Sequence, residues 1–513
     1  MDPQIAAWLL DPADSASSFP ALMTKHGLAL GLHLPPGKLS SVITSLSLLY
    51  SLMMNLHSSL LTRGLGELFS SLELSMVPVL AAMESHRIHV DKDALKRTSE
   101  LLGERLKQLE QEAHQTAGQR FLVSSSVQLR QILFEKLRLQ ERCEGRKLPR
   151  TVLTQQQSTS ESVLLQLQDL HPLPRIILEY RQVRKVKSTF VDGILSCMNK
   201  TSLFCTWNQT STVSGRLSAK RPNFQALPRL PVRIARKPDV EGEAVEMVTV
   251  QPRSMFSPQV GWTFLAADFC QVELRLLAHL SSDPELLRVF QDPSADVFAM
   301  LASQWNGVPV AHVSPQHREQ AKRVVYSVVY GAGRGRLSRI LGLSAEQAAL
   351  FMDSFSQTYK EVQRFIQRTV QQCQSQGYVL SLMGRQRILP HIQSPDCALR
   401  KQAERQAVNF VVQGSAADLC KMAMIRIHSQ LSSSPGLTAR LIAQIHDELL
   451  FEVEDSQLMD FAVLVKTTME SLQHVECLGI HLKVPLKVAV TSGKSWGVMS
   501  ELRLPAAPLH PAP

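Results

Sequence analysis

The sequence predicts an α+β protein with several lobes, and three observations support this prediction. The chain has 513 residues, which is more than one hydrophobic core normally supports. Residues 73–118 repeat apolar side chains at the period of a long amphipathic helix. The run at 262–265 and the segment ARLIAQIHDELLFEVE have the pattern of buried strands.

The charge of the chain indicates a polyanionic partner, although charge alone leaves a merely solvated basic surface equally open. The formal net charge is +10, from 55 Lys and Arg against 45 Asp and Glu. The eight cysteines form no C-x-x-C pair. The sequence therefore predicts neither a disulfide framework nor a zinc site, and this cysteine usage is typical of a reducing compartment.

The amino terminus and the apolar runs predict no membrane association. The start, MDPQIAAWLLDPADS, lacks the basic region of a secretory signal and the arginines of a mitochondrial transit peptide. No stretch of about 18 uninterrupted apolar residues occurs, so we expect no transmembrane helix and no membrane partner.

The first half of the chain reads as helical. The helix at 73–118 is followed by a polar stretch at 141–160, which we interpret as a mobile tip. Helical periodicity resumes at 177–190, where Lys185 and Lys187 lie in a basic cluster with two arginines. A solvated helix end and a clamp for a phosphate backbone are both open interpretations of that cluster.

The second half alternates between helices and strand pairs. We expect, in order, a loop at 231–253, a strand, helices to about residue 376, a hairpin with Gly384 near its turn, a helix at 397–430, and two strands that meet at His446 and Asp447. The Pro-rich tail that ends the chain is expected to be disordered.

Two carboxylates stand at the ends of apolar strand-like runs, Asp268 in AADFCQVELR and Asp447 in IHDELLFE. Carboxylates brought together from distant segments repel each other unless a divalent cation neutralises them. Oxygen ligands of this kind suit Mg²⁺, and a pair of ions suits phosphoryl transfer. Asp447 on its own also fits an ordinary turn residue. Glu273, five residues after Asp268, is a second acid in a largely apolar segment.

A stripe of cations and aromatic rings recurs every four residues in QHREQAKRVVYSVVYGAG. Its members are Arg318, Lys322, Tyr326 and Tyr330, which fall on one face of a helix that Gly331 and Gly333 end. Such a stripe could hold a triphosphate and stack a base. Lysine and arginine stems beside core tyrosines are the other interpretation.

Two further stretches carry polar side chains suited to a nucleic-acid groove. Arg405, Asn409 and Gln413 again recur every four residues, and these types can reach acceptors in a minor groove. Residues 209–228, a hydroxyl-rich stretch, contain Arg216, Asn223 and Gln225. Inert surface amides and a plain polar loop are the competing interpretations.

Together these motifs resemble the A-family DNA polymerases, the family of bacterial DNA polymerase I. AADFCQVELR is similar to the first palm motif, KRVVYSVVYG to the fingers motif and IAQIHDELLFE to the second palm motif. SGRLS, PNFQ and ERQAVNFVVQGSAADL match the signatures between them, and LEYRQVRKVKSTF resembles the end of the thumb. Within the family, VVYGAG and AQIHDELLFEVED are most similar to the vertebrate nu branch.

The resemblance implies a right-hand polymerase fold, with a palm built on an antiparallel sheet, helical fingers and a helical thumb. It divides the chain as follows: 1–70, a remnant of an exonuclease-like domain; 71–205, thumb and start of palm; 206–300, palm; 301–395, fingers; 396–497, palm; 498–513, disordered tail. Because about 70 residues cannot contain an exonuclease domain, we expect no 3′–5′ proofreading.

The resemblance also assigns roles. Asp268 and Asp447, with the backbone carbonyl of Phe269, would bind two Mg²⁺ ions. Deoxynucleoside triphosphates would be bound by Arg318, Lys322, Tyr326, Tyr330, Glu273 and His446, with Arg318 and Lys322 counted as catalytic. Primer-template DNA would contact Arg216, Asn223, Gln225, Arg405, Asn409, Gln413, Lys185, Lys187 and Arg323. Glu448 would assist the metal site indirectly.

Four positions depart from the family's usual pattern. Arg323 stands where a small residue is common, which predicts lowered base selectivity. Phe269-Cys270 replaces Tyr-Ser, which should be tolerated because the metal contact there is made by the backbone. Tyr326 replaces Phe, and this change predicts acceptance of dideoxynucleotides. The resemblance further suggests a nuclear role in DNA repair or translesion synthesis, with repair proteins as possible partners.

Two other functions compete with a DNA polymerase. A single-subunit RNA polymerase shares the two Asp, the Lys and the fingers Tyr, but Glu273 can fill the space that a ribose 2′-hydroxyl needs. A non-catalytic DNA-binding form, such as a truncated isoform, would not need the metal carboxylates.

Overall fold

The computed structural model describes residues 2–13, 18–26, 38–142, 156–236, 246–292, 295–331, 337–338 and 344–504. Most of the predicted mobile tip at 141–160, the predicted helix-ending Gly333 and the last nine residues of the tail lie outside the described residues.

Helices dominate the described part of the chain. Its α-helices are α1 (Pro3–Leu10), α2 (Phe19–Lys25), α3 (Lys38–Thr62), α4 (Met76–Ser85), α5 (Lys92–Ala117), α6 (Ser126–Arg130), α7 (Glu161–Leu167), α8 (Pro172–Lys185), α9 (Asp192–Cys197), α10 (Val272–Ser281), α11 (Pro284–Gln291), α12 (Val297–Asn306), α13 (Pro315–Val329), α14 (Ala345–Thr358), α15 (Lys360–Gln376), α16 (Cys397–Ser433) and α17 (Leu458–Glu470). Three π-helical segments lie at Leu68–Leu74, Gln131–Lys136 and Val186–Val191.

The strands of the described residues are short except in one sheet. They are β1 (Ile88–His89), β2 (Met198–Asn199), β3 (Ser202–Leu203), β4 (Thr206–Asn208), β5 (Ser218–Lys220), β6 (Val232–Arg236), β7 (Glu246–Val250), β8 (Trp262–Phe269), β9 (Tyr378–Leu380), β10 (Gln386–Ile388), β11 (Ala439–Ile445), β12 (Glu448–Glu454), β13 (His474–Val475), β14 (Ile480–His481), β15 (Val488–Ser495) and β16 (Val498–Glu501).

The longest strands form one antiparallel sheet in the order β11-β12-β8-β15-β16. β8 is central, and its residues 263–267 are all buried. A central strand with both faces covered reads as a continuous apolar run and not as an alternating one. α17 packs against β8 and β15. This sheet with its helices confirms the α+β class.

Two further apolar cores lie beside the core that contains the sheet. One joins α10–α16 through side chains such as Phe298, Phe355 and Phe410. The other lies where the end of α5 meets α6–α8. α5 and α8 also pack side by side, and Arg105 of α5 donates from Nη2 to Glu179 of α8 at 2.8 Å. The predicted domain boundaries stay predictions.

Three expectations about local structure are wrong. The helix expected at 73–118 is interrupted, because residues 86–91 leave the helix and β1 pairs with β3. The loop expected at 231–253 contains the hairpin β6–β7, in which Ile234 and Val250 face inward while Arg233 and Thr249 are exposed.

The tail expected to be disordered from residue 498 begins as the edge strand β16. It pairs with β15, and the Leu502 amide donates to the Val490 carbonyl at 2.9 Å. Edge pairing is a tertiary contact that composition does not reveal.

The two predicted hairpins are confirmed. β9 and β10 flank Gly384, whose φ of +83° lies in the left-handed region that a turn glycine adopts readily. β11 and β12 meet at His446 and Asp447.

One helical segment, Leu68–Ser85, is long and apolar enough to cross a membrane by length and composition alone, with a mean hydropathy of 1.2 over 18 residues. In the structure it contributes Phe69, Leu72 and Met76 to the main apolar core. It also carries Glu73, which is fully buried in ion pairs.

Candidate active site

The register of the central sheet brings the two predicted carboxylates together. Asp268 of β8 lies opposite Glu448 of β12, so Asp447 is one residue away from the position facing Asp268. The Phe269 amide donates to the Asp447 carbonyl at 3.1 Å. His446 adopts φ +58°, which lets the β11–β12 turn close within two residues.

Both carboxyl groups are harder to ionise than usual. Burial raises the pKa of Asp268 to about 6, and repulsion from Glu448 adds to this, although Arg229 and Lys322 oppose it. Burial also raises the pKa of Asp447 to about 7, with further repulsion from Glu273 and Asp268 and an opposing attraction from Arg216. The site therefore concentrates negative charge that the described side chains only partly neutralise.

The carboxylates open into a cavity of about 410 Å³. Its polar lining consists of Gln225, Arg229, Arg253, Asp268, His446, Asp447 and Glu448. Nη1 of Arg229 lies 3.8 Å from Oδ2 of Asp268, and Nη1 of Arg253 lies 3.9 Å from Oε1 of Glu448.

The donor set of this cavity fits a hard divalent cation. Oε1 of Glu448 is buried without a hydrogen-bond partner among the described atoms, and Asp268 has only the distant ion pair to Arg229. Carboxylates that repel each other and lack hydrogen bonds suit Mg²⁺, which takes few protein ligands and completes its shell with water and phosphate oxygens. Among the described residues, no group of three or more His, Cys, Asp or Glu side chains that could hold a metal ion is found.

Glu273 lies beside this cavity and is held from two sides. Its Oε1 accepts from Nη2 of Arg216 at 2.5 Å, and its Oε2 accepts from the hydroxyl of Tyr330. Burial and this carboxylate raise the pKa of Tyr330 above its usual value, so its hydroxyl is a donor at neutral pH. Arg216, predicted to contact DNA, thus links the loop between β4 and β5 to the end of α13.

The stripe of α13 is formed as expected. Tyr326 and Tyr330 have stacked rings with centroids 6.0 Å apart. Lys322 is close enough to Asp268 to lower that carboxyl's pKa. Arg318, one turn earlier, donates from Nε to Oδ2 of Asp296 at 2.6 Å. Arg323 lies elsewhere: it is exposed and pairs with Glu319 at 3.7 Å.

The helix α16 passes close to the end of α13. A Cβ added at Gly331, whose φ is +67°, would lie 2.7 Å from Cγ of Arg405, so only glycine permits this approach. Gln413 hydrogen-bonds the side chain of Tyr330. This contact opposes the burial and the Glu273 carboxylate that raise the pKa of Tyr330. Oδ1 of Asn409 is buried without a described partner. Arg405 and Gln413 of this row therefore lie next to the end of the stripe, at Gly331 and Tyr330.

The loop that carries Arg216 is fixed by another close approach. A Cβ at Gly215 would lie 2.5 Å from Nε of the buried Arg385. Gln225 donates to the carbonyls of Leu217 at 3.0 Å and Gln444 at 3.2 Å, so its amide nitrogen already has partners within the chain. Asn223 is exposed.

The basic cluster at the end of α8 lies far along the chain from this cavity. Lys187 pairs with Asp192 at 3.0 Å and donates to Ser99, whereas Lys185 is exposed. Both interpretations of that cluster therefore stay open.

The structure adds residues that the sequence patterns did not single out. Arg229 approaches Asp268, while Asp296 and Phe298 contact Arg318. An arginine in LPRLP and an aspartate before a helix carry no period or motif, so only the tertiary contacts identify them.

An antiparallel sheet with two acids at adjacent strand ends, facing a helix that presents Lys and Tyr, defines a right-hand nucleotide polymerase fold. The model of DNA polymerase family A matches residues 92–498, so the chain belongs to this family. The predicted right-hand fold and family are thereby confirmed.

Individual relatives agree with this assignment. DNA polymerase I, thermostable, of Thermus thermophilus is 35% identical over 503 residues, which cover 96% of this chain and 55% of the relative. DNA polymerase I of Bacillus subtilis is 37% identical over 433 residues, covering 84% of this chain and 46% of the relative. The chain thus spans about half the length of the curated relatives it matches. The similarity to the nu branch stays a prediction.

A solved structure gives the same result for the fold. The POL domain of Pol1 from M. smegmatis, in complex with DNA primer-template and dNTP, superposes with a TM-score of 0.83 and 29% identity, covering 97% of this chain and 82% of that chain.

Proposed function

We propose that this chain is a template-directed DNA polymerase that adds deoxynucleotides to a primer 3′ end. One observation carries the proposal: two carboxylates from distant segments meet at the sheet edge with raised pKa values, and Lys322 is close enough to Asp268 to oppose the rise in its pKa. The similar POL domain from M. smegmatis is a complex with primer-template and dNTP, which supports the same substrates here.

Asp268 and Asp447, with the Phe269 carbonyl, would hold two Mg²⁺ ions. When bound, such ions lower the pKa of an attacking hydroxyl and neutralise charge on a transferred phosphoryl group. A bound cation would also stabilise the ionised acids, because it offsets the burial and the repulsion that raise their pKa values.

The fingers helix supplies the nucleotide contacts. Arg318 and Lys322 would bind the triphosphate, since guanidinium and ammonium groups suit phosphate oxygens. Tyr326 would stack on the incoming base, and Tyr330 would hold Glu273 as a wall beneath the sugar. Arg405, Asn409 and Gln413, which recur every four residues on α16, would contact the duplex near the primer end.

Primer extension tests the proposal directly. The unmodified chain should extend a labelled primer with deoxynucleotides in Mg²⁺, and Asp447→Ala should lose about 10³-fold or more of the rate, as expected when charge stabilisation of the transition state is removed. Asp455→Asn is the matched control, because that acid pairs with Lys494 on the surface. A chain that does not extend the primer, or an Asp447→Ala variant as active as the control, would overturn the proposal.

The same assay decides between this function and its competitors. Ribonucleotide incorporation at the rate of deoxynucleotides would favour an RNA polymerase. Tight primer-template binding without extension would favour the non-catalytic DNA-binding form.

We further propose that this chain extends primers without 3′–5′ proofreading and with low base selectivity. The first point is supported by the described residues up to residue 62, which form the helices α1–α3. Mg²⁺-dependent digestion of a 3′ end would contradict the first point. An unchanged misinsertion ratio in Arg323→Ala would contradict the second.

The cellular role that we propose is DNA repair or translesion synthesis in the nucleus. Its support is the resemblance to the nu branch. Localisation of a tagged chain by microscopy, and insertion opposite an abasic template site, are the measurements that check it.

A further inference from the structure

Arg318, the first residue of the α13 stripe, contacts two residues at the start of α12. Oδ2 of Asp296 accepts from Nε of Arg318 at 2.6 Å. The ring of Phe298 lies under the same guanidinium, with 5.5 Å between Cζ and the ring centroid. One edge and one face of the guanidinium are therefore occupied.

Both partners of Arg318 are themselves fixed. Oδ1 of Asp296 caps α12 by accepting from the amides of Phe298 at 2.9 Å and Ala299 at 3.1 Å. Phe298 is 1% exposed, and its ring also packs against Tyr326 at 6.1 Å between centroids. The start of α12 thus supports the phosphate-binding and base-stacking positions of α13 together.

The remaining edge of Arg318 has its donors available. Among the described residues, Nη1 and Nη2 have no hydrogen-bond acceptor, and the side chain is 41% exposed. A guanidinium held through Nε presents two parallel Nη donors, which match two oxygens of a phosphate. An ion pair this exposed contributes little to folding, so orientation is the effect that it can supply.

We propose that Asp296 and Phe298 are positioning residues for the nucleotide triphosphate, acting through Arg318. Asp296 fixes the Nε edge and Phe298 supports the face, so that the Nη edge is presented to the phosphates before the nucleotide arrives. The proposal rests on the proposed polymerase function. Preorganisation of this kind lowers the ordering cost of binding and increases affinity for the triphosphate.

Steady-state insertion of one nucleotide tests the proposal. Asp296→Asn keeps a side chain that caps a helix but removes the charge that holds Nε. It should raise the KM for the deoxynucleoside triphosphate by about tenfold, the usual consequence of losing one charge-assisted hydrogen bond, with kcat changed by less than about twofold. Glu285→Gln is the matched control, because Glu285 pairs with Arg288 on the adjacent surface. Primer-template affinity should be equal in all three proteins.

Two further variants separate positioning from a structural effect. Asp296→Glu should recover part of the lost affinity because it restores the charge. In an Arg318→Ala background Asp296→Asn should have no additional effect on KM, since it acts only through that arginine. Phe298→Leu, which keeps an apolar side chain, should raise KM in the same direction.

The outcomes are distinct. An unmodified chain that extends no primer overturns the polymerase function itself. If it extends primers and Asp296→Asn leaves KM unchanged, the positioning role is wrong. A lowered KM would also overturn it, because Asp296 would then compete with the phosphates for Arg318. Equilibrium binding of the triphosphate can also be measured on a complex of the protein with a chain-terminated primer. This measurement compares the triphosphate affinities of the unmodified protein and the Asp296 variants without catalysis.

Discussion

At the scale of single residues, Glu273 shows how one carboxylate is kept in place beside two others. Its partners Arg216 and Tyr330 come from the loop between β4 and β5 and from the end of α13. The Arg216 cation stabilises both Glu273 and Asp447, so the loop affects the ionisation of the candidate metal site. The second acid in AADFCQVELR is thus held by an ion pair with Arg216 and a hydrogen bond from Tyr330, which fits the wall beneath the sugar that we propose.

Changing Glu273 should separate its volume from its charge. Glu273→Ala should reduce the preference for deoxyribonucleotides over ribonucleotides by about tenfold or more, because it opens space beneath the sugar. Glu273→Gln retains the volume and should retain most of the preference while lowering the rate. The measurement is the ratio of kcat/KM for the two nucleotide types, and equal ratios in both variants would contradict the steric role.

Tyr326 carries a second prediction at this scale. Burial raises the pKa of its hydroxyl above the usual value, so at neutral pH the group is a protonated donor near the sugar position. Tyr326→Phe should therefore increase discrimination against dideoxynucleotides by about fivefold or more. Tyr359→Phe, in the same core but outside the stripe, is the control. Identical ratios of dideoxy to deoxy insertion in the two variants would refute the role.

At the scale of elements, a buried ion cluster joins three segments behind the site. Glu73 of the π-helical segment pairs with Arg385 of the β9–β10 hairpin and with Lys421 of α16, the latter at 2.8 Å. Arg385 also pairs with Asp418 at 2.7 Å. Trp8 of α1 lies over this cluster, with its ring centroid 5.3 Å from Cζ of Arg385. The cluster therefore ties the amino-terminal helices to the loop of Gly215, which rests on Arg385.

Removing one charge from this cluster should be costly. Glu73→Gln leaves buried cations without a partner and should lower the free energy of unfolding by about 3–5 kcal/mol. Glu319→Gln, which breaks an exposed pair with Arg323, should change it by less than about 1 kcal/mol. Denaturation by urea measures the free energy of unfolding of both variants. Equal losses in the two variants would contradict a stabilising role for the buried Glu73 ion pairs.

The cluster also predicts a pH dependence. Burial alone would raise the pKa of Glu73, but the attraction of Arg385 and Lys421 outweighs it and lowers the pKa to about 2. A carboxyl whose folded pKa is depressed stabilises the fold fully above its ordinary pKa, and this contribution is lost as the pH falls towards 2. The Glu73→Gln variant should lack this part of the acid destabilisation.

At the scale of the whole molecule, the chain carries a net charge of +10, whereas its candidate site is locally acidic. The basic side chains surround the site at Arg216, Arg229, Arg318, Lys322 and Arg405. Charges of this kind bind a phosphate backbone by releasing counterions, and the binding weakens as salt rises. Under the proposed function, a cation bound between Asp268 and Asp447 would reduce their repulsion of an approaching polyanion.

Salt dependence tests this distribution of charge. The affinity for primer-template should fall by about 10³-fold or more between ~50 and ~200 mM salt if several phosphates are neutralised, and Arg405→Ala should reduce the slope of log affinity against log salt by about one. Fluorescence anisotropy with a labelled primer measures it. An affinity independent of salt would contradict a phosphate-binding role for the basic residues.

Much of this architecture follows from local patterns. The central strand β8, the two hairpins and the long helix α16 were predictable because apolar periodicity and turn residues report local structure. The hairpin β6–β7 and the edge strand β16 were missed, because short strands depend on partners distant in the chain. The interruption of the helix near residue 86 has the same origin, since β1 exists only by pairing with β3.

The sequence by itself determined the motifs, their order and the residue types of the site: Asp268, Asp447, and the stripe from Arg318 to Tyr330. Helical spacing and strand ends are properties of the chain, so these residues could be named in advance. Only the tertiary structure decided which side chains pair with them. Arg216 holds Glu273, and Asp296 and Phe298 hold Arg318, because ion pairs and ring contacts depend on distances in space that spacing along the chain does not contain.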